Sequence, residues 1–163
     1  ARGAPVDAED FAALARSAGP VIAADLEAAP EPVDVVAVHD DRMAEAVAGR
    51  VPLVISGHFH ETTSTVRNGT LFLRIGTTGG SGAGIFRDLA DIPFSAEVLY
   101  FSRGSDPELI AYDVIEQLPE SGSLTVQRIT VSVEFGDLVL TPTPTPTLTT
   151  GAAPSGVSAS ASP

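Results

Sequence analysis

The side chains best suited to chemistry are three histidines, His39, His58 and His60, and the chain has no others. Neutral imidazole is the commonest side-chain ligand for zinc and related ions. His39 follows the apolar run Val33-Asp34-Val35-Val36-Ala37-Val38, and His58 and His60 follow Val51-Pro52-Leu53-Val54-Ile55. Both runs read as strands buried on both faces. Two strand ends that each deliver histidine would bring the rings to one edge of a sheet, where sites form in open α/β folds. Gly57, just before His58, lets the backbone turn and a ligand approach closely. A His-x-His pair can serve metal in two ways. In an extended segment both rings face one side and can share an ion. In a turn the rings diverge and can hold two ions about 3.5–4 Å apart, as binuclear hydrolases require.

Other chemistries find less support. The chain has no cysteine, which excludes disulfides, thiolate zinc sites and cysteine nucleophiles. No Gly-x-Ser-x-Gly elbow surrounds Ser56. The glycine-rich stretch Gly76–Gly84 contains no Gly-Lys-Ser/Thr and reads as a connection between strands. Glu108, Glu116 and Glu134 fall on separate strands and form no acid–base pair for glycoside hydrolysis. Asn68-Gly69-Thr70 fits a glycosylation pattern, but Asn-Gly is also a strong hairpin turn, and the turn explains it. Nine Lys and Arg against twenty-one Asp and Glu, a net charge of −12, argue against nucleic-acid binding. No apolar run approaches membrane-spanning length.

Val38-His39-Asp40 followed by Gly57-His58-Phe59-His60 resembles the last two motifs of the calcineurin-like metallophosphoesterases. The resemblance covers residues 33 to 78, and more loosely the strands to about 134. It implies a metallophosphoesterase-like sandwich with a mixed sheet, two divalent ions (Mn, Fe or Zn) and a phosphomonoester or phosphodiester substrate. It also implies that His39 and His58 share one ion and that His60 serves its neighbour. The family's Asp-x-His, Gly-Asp-x-x-x-Asp and Gly-Asn-His-Asp/Glu motifs have no counterpart here. The resemblance therefore describes a carboxyl-terminal half, inactive alone, whose phosphate-ester substrate requires the missing amino-terminal half. Asp40 and Asp41 are either added carboxylate ligands or the start of the helix that follows. The competing reading is a non-catalytic β-rich binding or structural module tethered by its tail.

The elements that must position these residues read as an α/β or α+β fold. Residues 8–17 read as a helix capped by Asp7, with Phe11, Leu14 and Ala15 on one face and Gly19-Pro20 as its end. Residues 21–28 read as a second short helix and 41–48 as a third, with Met43, Ala44 and Val47 inward. A hairpin pairs residues 61–67 with 70–75. Strands follow at 94–102, 108–116 and 123–134. The first 140 residues read as one domain, and residues 141–163, a Thr-Pro tract giving way to Gly, Ala, Ser and Pro, as a disordered tail. Such a tract suits a stalk or wall-spanning linker and leans extracytoplasmic. The chain opens on Ala1 and its sole methionine is Met43, which reads as a processed product or a piece of a longer protein.

Overall fold

The computed structural model describes residues 8–77, 93–118, 122–134 and 137–143. Two helices come first, α1 (Ala8–Ser17) and α2 (Gly19–Ala28). Glu9 and Asp10 sit in the first turn of α1 and Arg16 in its last, each favoured by the helix dipole there. Asp7, the expected cap, lies outside the described residues. Pro20 does not end α1 so much as start α2, in whose first turn it lacks no needed N–H. Ala15 is buried but Leu14 is 63% exposed, so the inward face of α1 runs through Phe11 and Ala15 and leaves Leu14 to solvent.

Strands β1 (Val35–Val38), β2 (Leu53–Ser56), β3 (Thr63–Arg67) and β4 (Thr70–Arg74) form a mixed sheet in the order β1-β2-β4-β3. β1, β2 and β4 run parallel, and β3 folds back on β4. The Asn68-Gly69 turn supplies the two left-handed residues the hairpin needs, with φ of 52° and 82°. Between β1 and β2 the chain forms a 3-10 helix, Asp41–Val47, rather than an α-helix. Its buried residues are Asp41, Ala44 and Val47, a period of three that matches the tighter turn.

The second sheet is an antiparallel meander of β5 (Phe94–Phe101), β6 (Leu109–Gln117), β7 (Leu124–Glu134) and β8 (Asp137–Thr143). β8 carries three residues past Leu140, so the first Thr-Pro-Thr of the expected tail is an edge strand. Pro142 is tolerated there because an edge strand leaves half its backbone groups unpaired. Residues 144–163 lie outside the described residues, as do residues 78–84 of the glycine-rich stretch.

Alternation along the strands divides the core in two. Leu53, Leu71 and Leu73 of the first sheet share one apolar cluster with Tyr112, Val114 and Ile129 of the second. Val54 and Phe72, on the opposite face of the first sheet, pack with Ala44, Val47, Ile22 and Leu26. The protein is thus mixed α/β, with helices on one face of the mixed sheet and the meander on the other. β1 departs from expectation. It is the outer strand of its sheet, with Ala37 exposed and its neighbours half-buried, rather than a central strand covered on both faces. Burial of an apolar run depends on which strand lies beyond it, and the run itself does not contain that information.

The meander's outer face carries a polar lock. Asp113 and Arg128 are directly opposed across β6 and β7. The Asp113 carboxylate accepts from Arg128 Nε at 2.7 Å, Arg128 Nη2 at 2.8 Å and the Tyr100 hydroxyl at 2.8 Å. The Arg128 hydrogen bonds hold the Asp113 carboxyl below the usual carboxylate range, with Tyr100 adding to them and burial opposing. A carboxyl depressed in the folded state stabilises the fold above its unfolded pKa, and that contribution fades as pH falls below about 4. Asp113→Asn should therefore be less stable at neutral pH yet lose less stability than wild type on acidification through that range, as read by urea midpoints at each pH.

Candidate functional site

The parallel pairing of β1 and β2 aligns Val38 with Ser56, so both strands end at one edge of the sheet. Beyond that edge the backbone N–H groups of Gly57 and His58 both donate to the His39 carbonyl, at 3.2 and 2.8 Å. The two histidines are thereby tied together through main chain before their rings meet. His39 Nε2 and His58 Nδ1 lie 2.9 Å apart in a hydrogen bond, one ring donating and the other accepting. The rings are edge-on, with centroids 4.7 Å apart and planes at 71°.

Tetrahedral zinc with nitrogen ligands at about 2.05 Å holds two ring nitrogens roughly 3.3 Å apart. A shared ion would therefore require the pair to open by about 0.4 Å, to give up the proton it shares, and to turn both ring nitrogens off the line between them toward the ion. Of the three expected ligands, these two are brought together. His60 is placed differently. It follows a turn closed by its N–H on the Gly57 carbonyl, and its own φ is +55°. Its ring makes no hydrogen bond, ion pair or ring contact among the described residues. Left-handed backbone at a residue with a Cβ costs about 1–2 kcal/mol. His60→Gly is accordingly expected to raise unfolding stability by up to about 1 kcal/mol while removing a ring, a trade visible by urea titration.

Asp40 and Asp41 take the structural of their two expected roles. Asp40 caps the 3-10 helix by accepting from the Arg42 N–H at 3.0 Å, and both its oxygens also take Arg42 Nε, at 2.9 and 3.0 Å. Burial alone would raise the Asp40 carboxyl, but the Arg42 hydrogen bonds and charge outweigh it and leave it below the usual range. His58 Nε2 lies 3.9 Å from Asp40 Oδ2, an ion-pair distance on the side of the ring away from His39. Asp41 is buried and accepts from Arg67 and Arg74 at 3.1–3.2 Å.

Four residues around the pair were not singled out in the sequence as part of a site. Phe11 of α1 stacks on the His58 ring at 4.9 Å and 20°, and Phe59 meets its edge at 4.8 Å. The guanidiniums of Arg42 and Arg74 lie over Phe59, at 5.2 and 4.3 Å. Phe11 was visible only as a member of an apolar helix face. Its contact with a residue 47 positions later has no local signature. Among the described residues no group of three or more His, Asp or Glu side chains converges as a metal site, and no helix is long and apolar enough to cross a membrane. A cavity of about 750 Å³ lies at the other end of the parallel strands, lined by Val33 and Pro52, and takes no part in this arrangement. No family model matches the sequence, and no curated protein or solved structure is significantly similar to it.

Proposed function

We propose that the chain is the carboxyl-terminal part of a calcineurin-like, binuclear-metal phosphoesterase, completed by an amino-terminal half and inactive without it. The observation that carries the reading is the 2.9 Å approach of His39 Nε2 and His58 Nδ1 at adjacent parallel strand ends. His39 and His58 would hold one divalent ion and His60 its neighbour. Such ions polarise a phosphoryl oxygen and supply hydroxide at neutral pH. The chain's own residues position and shelter. Asp40 steadies the 3-10 helix that follows His39, and Phe11 and Phe59 cover the His58 ring. Two imidazoles fall short of the three protein ligands usual at a catalytic metal.

Among the described residues β1 pairs on one side only, with β2, and this open side also supports a missing half. β3 is polar and carries Arg67, β8 carries Pro142, and β5 has an irregular register at Tyr100–Phe101. These are the usual protections of an edge strand. β1, Val-Val-Ala-Val, carries no charge, proline or bulge and among the described residues is protected by its four-residue length alone. A strand added in parallel there would end beside His39, where further ligands are needed.

The test is hydrolysis of p-nitrophenyl phosphate and bis(p-nitrophenyl) phosphate with manganese or zinc. The chain expressed with the polypeptide that precedes it in its reading frame should turn over one of them, and His58→Ala should abolish the activity. Equal rates for the longer polypeptide and its His58→Ala form would refute the reading.

A further inference from the structure

The cavity of about 750 Å³ opens at the amino-terminal ends of β2 and β4, the end of the sheet opposite the histidines. Its volume falls among small-molecule sites, roughly 300–1,000 Å³. Leu26 of α2, Leu53 of β2, Leu71 of β4, Leu109 of β6, Val131 of β7 and Leu138 of β8 give it apolar walls. Hydrocarbon withdrawn from water against such walls is stabilised in proportion to the area covered.

The charges of the lining are one-sided. Glu31 and Asp34 stand in the segment that leads from α2 into β1, and Asp106 and Glu108 in the connection from β5 to β6. All four residues are exposed, so a ligand can reach them. Their carboxylates have no hydrogen-bond or ion-pair partner among the described residues. The one cation of the lining, Arg50, is already engaged, its Nη2 donating to Glu27 Oε1 at 2.8 Å. An anion entering the cavity would therefore meet four carboxylates with no free guanidinium to offset them. A neutral hydroxyl could donate to one carboxylate but gains no charge attraction. An ammonium brings both charge and three donors to groups that only accept. Phe101 adds an aromatic ring to the lining, and such rings attract cations over their faces.

We infer that this cavity binds an apolar molecule bearing one ammonium group, its hydrocarbon against the leucines and its charge among the four carboxylates. The inference stands apart from the histidines and needs no part of the phosphoesterase reading.

The test titrates the full chain by calorimetry with three probes of one shape: phenethylamine, phenethyl alcohol and phenylacetate. The amine should bind most tightly and the acid least. Added salt should narrow the gap between amine and alcohol. An exposed ion pair contributes about 1.4- to 5-fold in affinity. Glu31→Gln/Asp34→Asn and Asp106→Asn/Glu108→Gln, each removing two carboxylates, should therefore weaken the amine by about 2- to 25-fold and leave the alcohol unchanged. These side chains are exposed and unpaired, so neither double variant should lose its fold. Glu9→Gln/Glu61→Gln removes the same charge outside the lining and should leave the amine's affinity nearly unchanged. Absence of amine binding at millimolar concentration would overturn the inference. So would an alcohol or acid that binds as tightly as the amine, or an equal loss in all three double variants, which would mark a general attraction to an acidic protein.

Discussion

Replacing His58 and His60 together by alanine should weaken zinc and manganese binding by at least about tenfold, measured by calorimetry against wild type. The expectation rests on the ring pair. His58 Nδ1 and His39 Nε2 already approach to 2.9 Å, and removing one leaves a single imidazole beside two carboxylates that are already engaged. Asp40 is held by Arg42, and Asp41 by Arg67 and Arg74. Loss of even a residue that only orients a ligand typically costs 10- to 100-fold in metal affinity. A His39→Ala variant should resemble the double variant, because it breaks the same pair from the other side. His60→Ala alone should change affinity less, since its ring does not meet the other two. Equal binding by wild type and the double variant would mean that the histidines hold no ion in this chain, and the non-catalytic module would then be the better account.

The second large effect concerns the scaffold. Phe72→Ala should lower unfolding stability by about 3–5 kcal/mol, the range for a buried phenylalanine. Phe72 is 2% exposed and packs from the middle of the mixed sheet onto Ala44, Val47 and Val54. The Arg67 guanidinium lies 4.6 Å above its ring. Truncation would leave a cavity beneath the 3-10 helix and remove the surface on which Arg67 rests, loosening its contact with Asp41. Leu73, the next residue, faces the opposite way into the cluster shared with the meander. Leu73→Ala belongs to a range of about 2–5 kcal/mol, through a different interface. Urea titrations of the two variants and their combination would show whether the two faces of the sheet behave independently.

Much of this architecture was legible in the residues. The β-branched runs before His39 and His58 mark strands, and Asn68-Gly69 marks the hairpin, because these signals are local. The meander strands at 94–102, 108–116 and 123–134 were legible for the same reason. What escaped was set by distant neighbours. β1 reads as buried on both faces, yet it ends its sheet with Ala37 exposed. Leu14 reads as part of an inward helix face, yet the helix turns it to solvent. The Thr-Pro-Thr of β8 reads as tail because its composition is that of a linker, but pairing with Arg128, Ile129 and Thr130 holds it as strand. At the site, strand ends predicted that His39 and His58 would meet. Nothing local predicted that Phe11 would stack on His58, or that Arg42 would occupy Asp40.

The separation of the two rings is measured out by backbone. His39 and His58 extend from neighbouring parallel strands and are joined by two main-chain hydrogen bonds on a single carbonyl. Adjacent strands lie about 4.8 Å apart whatever side chains they carry. The pair's spacing is therefore insulated from drift in the surrounding sequence. Helix residues, core leucines and even the loop between β1 and β2 can be exchanged over evolutionary time while the two imidazoles stay within reach of each other. The main chain, more than the side chains around it, keeps the two rings together.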